Sequence, residues 1–204
     1  MPSVGVLALF PSLLVPLLLI AFPTSVWPAV LAYHAWCLGI GIAFAAPSDR
    51  HRPALTRHPY RFIAVATILA ALGAEVMARG YVDVRPWLPA NWVEVARRAM
   101  PWTVFAVYSL VVHTYAEERF WREALLRQAT VLHSAAGFGL MHVAAVWVLL
   151  GPGAAMIAGV GATFAGLVWG VAARRYQAIW PCVFTHVAVD AAILRVLWAL
   201  LPAA

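Results

Sequence analysis

The sequence contains little charge. Only 11% of its 204 residues are Asp, Glu, Lys or Arg, while 64% are hydrophobic and the mean hydropathy is +0.85. Because soluble domains carry about 25% charged residues, this composition excludes an ordinary soluble globule. It predicts one compact transmembrane domain over residues 1–204.

Lysine is absent, so all 14 basic residues are arginines, and cysteine is scarce. Together with the many Ala, Val and Trp residues, the arginine bias indicates a bacterial genome rich in G and C. Cys37 and Cys182 both lie in apolar runs, and the sequence has no CxxC motif. We therefore expect two buried thiols without a disulfide or metal role.

Apolar runs long enough to cross a bilayer, about 20 residues each, occur along the whole chain. We predict an all-α, polytopic transmembrane helical bundle of about seven spans, with six to eight as the range. Small residues recur every four positions in the sixth run, at 158, 162, 166 and 170, and predict a close helix–helix contact. The predicted spans are 4–20, 23–46, 62–78, 102–118, 131–150, 154–173 and 179–200.

The arginines concentrate in connections between spans, where positive charge marks the cytoplasmic side. The net charge of +6 therefore indicates membrane topology and a lipid bilayer as partner, not nucleic acid. We predict a multi-pass inner membrane protein with a cytoplasmic N-terminus and no cleaved signal peptide, because the first basic residue is Arg50. The arginines of 79–100 conflict with this orientation, although the stretch 92–96 resembles an interfacial amphipathic helix. The connections assigned to the cytoplasm are 47–61, 119–127 and 174–175.

Two adjacent carboxylates end the fourth apolar run. An ionised side chain near the bilayer centre costs about 2.5–3.5 kcal/mol, so such residues usually face a protein interior and serve chemistry or transport. Glu118 and Arg122 are spaced i,i+4 in the favourable order and are predicted to form an ion pair. Glu117 points about 100° away from its neighbour and is predicted to be the free carboxylate.

Two further polar groups lie in later spans: His142, which follows Phe138 by one turn, and the i,i+4 pair His186 and Asp190. An unpaired imidazole in lipid has no water to bind, so each needs a partner. With a rise of 1.5 Å per residue, Glu117 and both histidines lie on the order of 5–16 Å from one membrane surface. We expect them to share one polar cavity.

Other polar residues in the spans have weaker signals. His113 lies one turn before the first glutamate on the same face and is predicted to be its structural partner. Glu75 and Arg79 are predicted to form a structural i,i+4 pair. Tyr33 and His34 are predicted to be packing residues.

The residues 117–122, 138–142 and 186–190 together resemble the CPBP family of intramembrane proteases, also called the Abi or type II CAAX prenyl endopeptidase family. Its pattern is EExxxR, then FxxxH, then HxxxN or HxxxD. The resemblance covers 102–200. It implies a glutamic intramembrane endopeptidase that acts on a membrane protein or peptide substrate without a metal or other cofactor.

The resemblance also implies a role for each matching residue. Glu117 would activate water with help from His142, while His186 and Asp190 would stabilise the oxyanion. Because an ionised Asp190 would repel an oxyanion, it must either be protonated or orient His186. We expect the protonated form, so that Asn would serve at this position. Structural support is expected from Glu118, Arg122, Phe138 and His113.

The chemistry of the residues agrees with this interpretation. Peptide hydrolysis needs a base for water, donors for the oxyanion and a proton for the leaving amine, and a carboxylate buried among apolar helices is a stronger base than one in water. Neither a Ser-His-Asp nor a Cys-His pattern suggests covalent catalysis. For the substrate, three classes stay open: the C-terminal membrane anchor of proteins that are processed for sorting, a peptide that is matured by cleavage, and a bacteriocin against which the cell protects itself.

Two alternatives stay open. Glu117, His142 and His186 are a possible zinc set for a membrane metalloprotease, although the sequence has no HExxH motif. Intramembrane Glu and His residues also serve proton relays, so a proton-coupled carrier or a bacteriocin-immunity protein is the non-enzymatic alternative.

Overall fold

The computed structural model describes residues 3–44, 59–79, 94, 98 and 101–200. Every regular element in these ranges is helical. The stretch 92–96, for which we predict an interfacial helix, lies outside the described residues apart from Glu94. The first three helices are α1 (Val4–Ala21), α2 (Trp27–Ala43) and α3 (Tyr60–Ala78).

The fourth helical segment, α4, covers 102–127 and changes its winding four times. It ends nine residues beyond the predicted span. Our expectation that 119–127 forms a connection was therefore wrong. The helix continues because this stretch also holds large apolar side chains, such as Phe120 and Trp121, which are fully buried. The winding is α at Trp102–Tyr108, π at Ser109–His113, α at Thr114–Glu118, π at Arg119–Ala124 and 3₁₀ at Leu125–Arg127.

The long helical segment Val131–Tyr176 is two helices joined at a hinge. Gly151 adopts φ 79° and ψ −179°, a conformation that glycine accepts and other residues rarely do. Pro152 follows it and cannot donate a backbone hydrogen bond. We call the two arms α5 (131–150) and α6 (152–176), and the last helix, Trp180–Leu200, is α7.

The two arms fold back on each other through small residues. A Cβ on Gly139 would lie 1.9 Å from Thr163 Oγ1, and one on Gly170 would lie 2.7 Å from Val131 Cγ1. Positions early in one arm therefore meet positions late in the other, as in an antiparallel hairpin. The contact predicted for the small-residue ridge is confirmed at Gly166 and Gly170.

The bundle is apolar on the outside and carries its buried charges inside. α1 packs against α2 and the α5–α6 hairpin, and α3 packs against α7. Leu17 and Phe164 are 65% and 69% exposed on the outer surface, as expected for side chains that face lipid. The predicted all-α membrane fold is confirmed: by length and composition, Val131–Tyr176 and Trp180–Ala199 can cross a membrane, and Gly5–Ala21 and Trp27–Ala43 are shorter apolar helices.

Arginines cap the C-terminal ends of three helices. Arg98 donates to the carbonyl of Leu19 in α1 at 3.0 Å, and Arg127 donates to that of Phe44 after α2 at 2.7 Å. Arg174 donates at 2.9 Å to the Ala129 carbonyl that follows α4. The last carbonyls of a helix have no partner within the helix, and a cation there also opposes the helix dipole. These arginines therefore stabilise the bundle.

Candidate active site

The middle of α4 places two carboxylates in the core. Glu117 and Glu118 are both fully buried, in the α-helical turn that lies between the two π-helical turns. Insertions of π-helix within α-helices are frequent at functional sites, because they re-aim the neighbouring side chains. Burying two carboxylates is costly unless each finds polar partners. α2, α7 and α4 itself supply them.

The two oxygens of Glu117 have different surroundings. The Tyr33 hydroxyl donates to Oε1 at 2.7 Å, and the Trp121 indole donates to that hydroxyl at 2.9 Å. Oε2 makes no hydrogen bond to a described residue, but His113 Nε2 lies 3.5 Å away and His186 Nε2 3.6 Å away. Our prediction of a carboxylate without a partner was therefore wrong for one oxygen, whereas the predicted contact with His113 is confirmed.

Glu118 contacts two cationic or basic groups. His186 Nδ1 lies 2.9 Å from its Oε1, and Arg122 Nε lies 3.4 Å from its Oε2. The predicted ion pair with Arg122 is confirmed, and the bond to His186 adds a partner that the spacing did not predict. The Arg122 guanidinium also lies 4.5 Å from the centre of the Phe138 ring, a cation–π contact that helps to bury its charge.

His186 faces oxygen acceptors on both ring nitrogens. Its ring stacks on Trp169 with centroids 4.2 Å apart. Nδ1 contacts Glu118, and Nε2 lies 3.6 Å from Asp190 Oδ1. The other oxygen of Asp190, Oδ2, lies 3.9 Å from His113 Nε2. Carboxylates on both sides of the ring suit a doubly protonated imidazolium, which donates from both nitrogens. Asp190 therefore lies between two imidazoles.

His142 reaches the site from α5. Its Nδ1 lies 2.9 Å from the carbonyl oxygen of Phe138. A carbonyl only accepts, so Nδ1 carries the hydrogen and Nε2 keeps the lone pair in the neutral ring. The predicted convergence is confirmed for Glu117 and His186, which are in contact. The prediction that both share one polar cavity with His142 is wrong, because the cavity that His142 and His113 line is mainly apolar and its lining includes neither Glu117 nor His186.

That cavity has a volume of about 270 Å³ and mainly apolar walls. Residues of α1, α2, α4, α5 and α7 line it, and its polar lining consists of Tyr33, His34, His113 and His142. Apolar cavities with a few converging polar groups are the usual form of binding sites. An apolar chain segment can therefore reach the histidines without losing its apolar surroundings.

Three residues of the site were not recognised in the sequence. Tyr33 and His34 were predicted to be packing residues, and Tyr108 was not singled out. In the structure, His34 Nδ1 lies 2.8 Å from the Tyr108 hydroxyl, and His34 Nε2 lies 2.7 Å from His113 Nδ1. Tyr33 and His34 are buried packing residues, as predicted, and in addition they form hydrogen bonds that the sequence did not indicate. By contrast, the predicted Glu75–Arg79 pair is confirmed outside the site, at 2.6 Å.

Within the described ranges, one group of side chains could hold a metal ion. Ligand atoms of His113, Glu117 and His186 all lie within 4.8 Å of one another. Tetrahedral zinc with bonds of about 2.0–2.1 Å places its ligand atoms roughly 3.4 Å apart, close to the two measured separations of 3.5 and 3.6 Å. The zinc set expected from the sequence included His142, and His113 takes that place in the structure.

Comparison with known proteins identifies the family. The sequence model described as type II CAAX prenyl endopeptidase Rce1-like matches residues 56–192, more than half of the chain, and includes the site residues of α4, α5 and α7. Comparisons with curated proteins and with solved structures give no match. The chain therefore belongs to the Rce1-like family of type II CAAX prenyl endopeptidases and is a membrane-embedded protease.

Proposed function

We propose that this protease is of the glutamic type and that Glu117 is its base. The observation that supports this most is the asymmetry of its carboxylate: Tyr33 binds Oε1, while Oε2 faces the Nε2 atoms of His113 and His186. A water molecule held among these three atoms would lie next to a base in an apolar interior. Glu117 takes a proton from that water as the hydroxyl bonds to the peptide carbonyl carbon.

The developing oxyanion needs hydrogen-bond donors. His186, with carboxylates near both nitrogens, is suited to the imidazolium form and donates from Nε2. The position of Asp190 between two imidazoles supports an ionised carboxylate that holds His186, rather than the neutral oxyanion donor expected from the sequence. Trp169 keeps the His186 ring in place by stacking.

The last step transfers a proton to the leaving amine. In our proposal, the proton that Glu117 has taken from water moves to the nitrogen as the C–N bond breaks, which restores the carboxylate. His142 contributes before this step, while the water is still intact. The lone pair on its Nε2 accepts the second hydrogen of the water and so orients the water molecule. The hydroxyl remains on the acyl carbon, so one water is consumed for each bond cleaved.

We propose that the substrate is the apolar anchor segment of a membrane protein, cleaved near its C-terminus. The cavity supports this because its walls are apolar and one of its lining residues, His113, lies 3.5 Å from the proposed base. The test compares cells that lack this protein with cells complemented by wild type or by Glu117→Gln. Mass spectrometry of protein termini in the membrane fraction should show unprocessed C-termini in both defective strains. Identical termini in all strains would contradict the proposal.

The zinc metalloprotease is a second candidate, favoured by the ligand geometry of His113, Glu117 and His186. Zinc would supply a bound hydroxide at neutral pH. Purified protein should be dialysed against a strong chelator, its metal content measured, and its processing activity compared before and after. Activity that persists without metal supports the glutamic mechanism, and activity lost on chelation and restored by Zn²⁺ supports the metalloprotease.

A further inference from the structure

Three side chains in contact connect the first α-helical stretch of α4 to Glu117. They are Tyr108, His34 and His113. The Tyr108 hydroxyl lies 2.8 Å from His34 Nδ1, and His34 Nε2 lies 2.7 Å from His113 Nδ1. His113 Nε2 then faces Glu117 Oε2 at 3.5 Å. The residues come from α2 and α4, and His34 is 2% exposed, so its hydrogen bonds are made within the protein.

The carboxylates that face His113 determine the direction in which each hydrogen bond of this chain is donated. His113 Nε2 faces two acceptors, Oε2 of Glu117 and, at 3.9 Å, Oδ2 of Asp190. A neutral imidazole carries one hydrogen, so Nε2 carries it and Nδ1 accepts. His34 must then donate from Nε2, which leaves its Nδ1 to accept from the Tyr108 hydroxyl. Each donor along the chain thus points toward Glu117.

We propose that His113 is a further catalytic residue of this site, and that Tyr108 and His34 are positioning residues that hold its Nε2 hydrogen toward Glu117. The inference rests on the proposed role of Glu117 as the base. A donor aimed at Oε2 stabilises the ionised carboxylate, the form that takes a proton from water. If His113 flipped to its other tautomer, two lone pairs would face each other and the site would lose this donor.

His113 also has the position that such a role requires. Both His113 and His34 line the cavity, but His113 also contacts Glu117, with Nε2 3.5 Å from Oε2. His34 contacts His113 edge-on, with ring centroids 4.8 Å apart, and reaches the carboxylate through it. Substrate can therefore meet the His113 ring, and Tyr108 and His34 act through it. The packing on Trp27, whose ring lies 5.5 Å from that of Tyr108, fixes the far end of the chain.

The first test measures the kinetics of single variants. Its substrate is the membrane protein whose C-terminal processing the mass spectrometry of termini reveals. His113→Leu should lower kcat about 10- to 100-fold, the range for loss of a donor to a charged group, because the Nε2 hydrogen faces Glu117 Oε2 at 3.5 Å. His34→Leu should lower it about tenfold with little change in KM. His34→Gln should recover most of that loss, because its amide can accept from Tyr108 and donate to His113. His133→Leu, at an exposed position, is the matched control.

A second test needs no substrate. Nitrogen NMR of the histidine side chains in detergent-solubilised wild-type protein should show the His113 hydrogen on Nε2 and none on Nδ1. In His34→Leu the two His113 tautomers should mix. A His113 hydrogen on Nδ1 in the wild type, as a metal bound at Nε2 would require, overturns the inference.

The two proposals fail in different ways. If Glu117→Gln is inactive while folded His113→Leu and His34→Leu keep wild-type kcat, the inference is wrong and Glu117 remains the base. Equal activity of His34→Gln and His34→Leu, both folded, would likewise show that His34 only packs. If Glu117→Gln keeps full activity, the proposed function itself is wrong. Thermal unfolding of each variant distinguishes lost catalysis from lost folding.

Discussion

Glu117 and Glu118 are neighbours in the chain but have different environments. Tyr33 and the imidazoles of His113 and His186 surround Glu117, whereas Glu118 contacts Arg122 and the opposite nitrogen of His186. A base needs an oxygen free for water, and a structural carboxylate needs both oxygens in contact with cations or donors. Glu117 meets the requirement for a base, and Glu118 meets the requirement for a structural carboxylate.

The first prediction concerns Glu118→Gln. The amide keeps the shape but loses the charge opposite Arg122, whose side chain is fully buried. Breaking one partner of a buried pair costs about 3–5 kcal/mol, so the unfolding temperature in detergent should fall clearly. Because Glu118 also contacts His186, the kcat of the variant that remains folded should fall as well. A variant with wild-type stability would show that Glu118 does not stabilise this charge.

The second prediction concerns Asp190→Asn. If an ionised Asp190 holds His186 as imidazolium, the neutral amide should lower kcat about 10- to 100-fold. The fold should be unaffected, because the side chain is 16% exposed and similar in shape. Wild-type turnover of purified, folded Asp190→Asn would contradict this account and support a neutral donor at this position.

The sequence identified the residues whose charge is unusual in a membrane span. Glu117 and Asp190 are notable in apolar runs because lipid offers them no partner. Tyr33 and His34 escaped notice because aromatic residues are common packing groups. Their hydrogen-bond partners are 74 to 88 residues away, so no local spacing indicates the contacts.

At the scale of the elements, two irregular helices build the site. The π-helical turns of α4 lie on either side of Thr114–Glu118, and the hinge at Gly151 allows α5 to present His142 while α6 presents Trp169. Hydropathy predicted the arms of this hairpin because lipid exposure requires apolar runs. The sequence pattern misplaced the end of α4, because its arginines suggested a connection at 119–127. In the structure Arg119 forms an ion pair with Glu123 inside the helix.

The third prediction concerns Gly139→Ala in the hairpin. Its Cβ would meet Thr163 Oγ1 and lie 2.9 Å from the backbone carbonyl oxygen of Gly159, so the two arms must separate. Overpacking of this kind costs about 1–3 kcal/mol, and the unfolding temperature should fall. Gly161→Ala is the control, because nothing lies within 4 Å of its new Cβ. Equal unfolding temperatures for the two variants would show that the arms do not pack as described.

At the scale of the whole molecule, the helices that the structure describes surround one polar centre with an apolar shell. Glu117 and its neighbours are buried, and the side chains on the outside are mostly apolar. Membrane insertion and a hydrolytic site are compatible only if each polar atom in the centre has a partner or a function. Glu117 Oε2 and Glu118 Oε2 are both buried without a hydrogen bond to a described residue. Glu118 Oε2 lies 3.4 Å from the Arg122 guanidinium, whereas Glu117 Oε2 faces the imidazoles of His113 and His186. Glu117 Oε2 is the atom to which we assign the chemistry.

The most direct test of that assignment is the turnover of purified Glu117→Gln in detergent or liposomes. Glu75→Gln, which weakens a pair outside the site, is the matched control. An amide cannot take a proton from water, and loss of a general base typically costs about 10²–10⁴ in rate. We predict that Glu117→Gln folds, unfolds near the wild-type temperature and loses at least about 10² in kcat, while Glu75→Gln keeps wild-type activity. A folded Glu117→Gln protein with wild-type turnover would contradict the account.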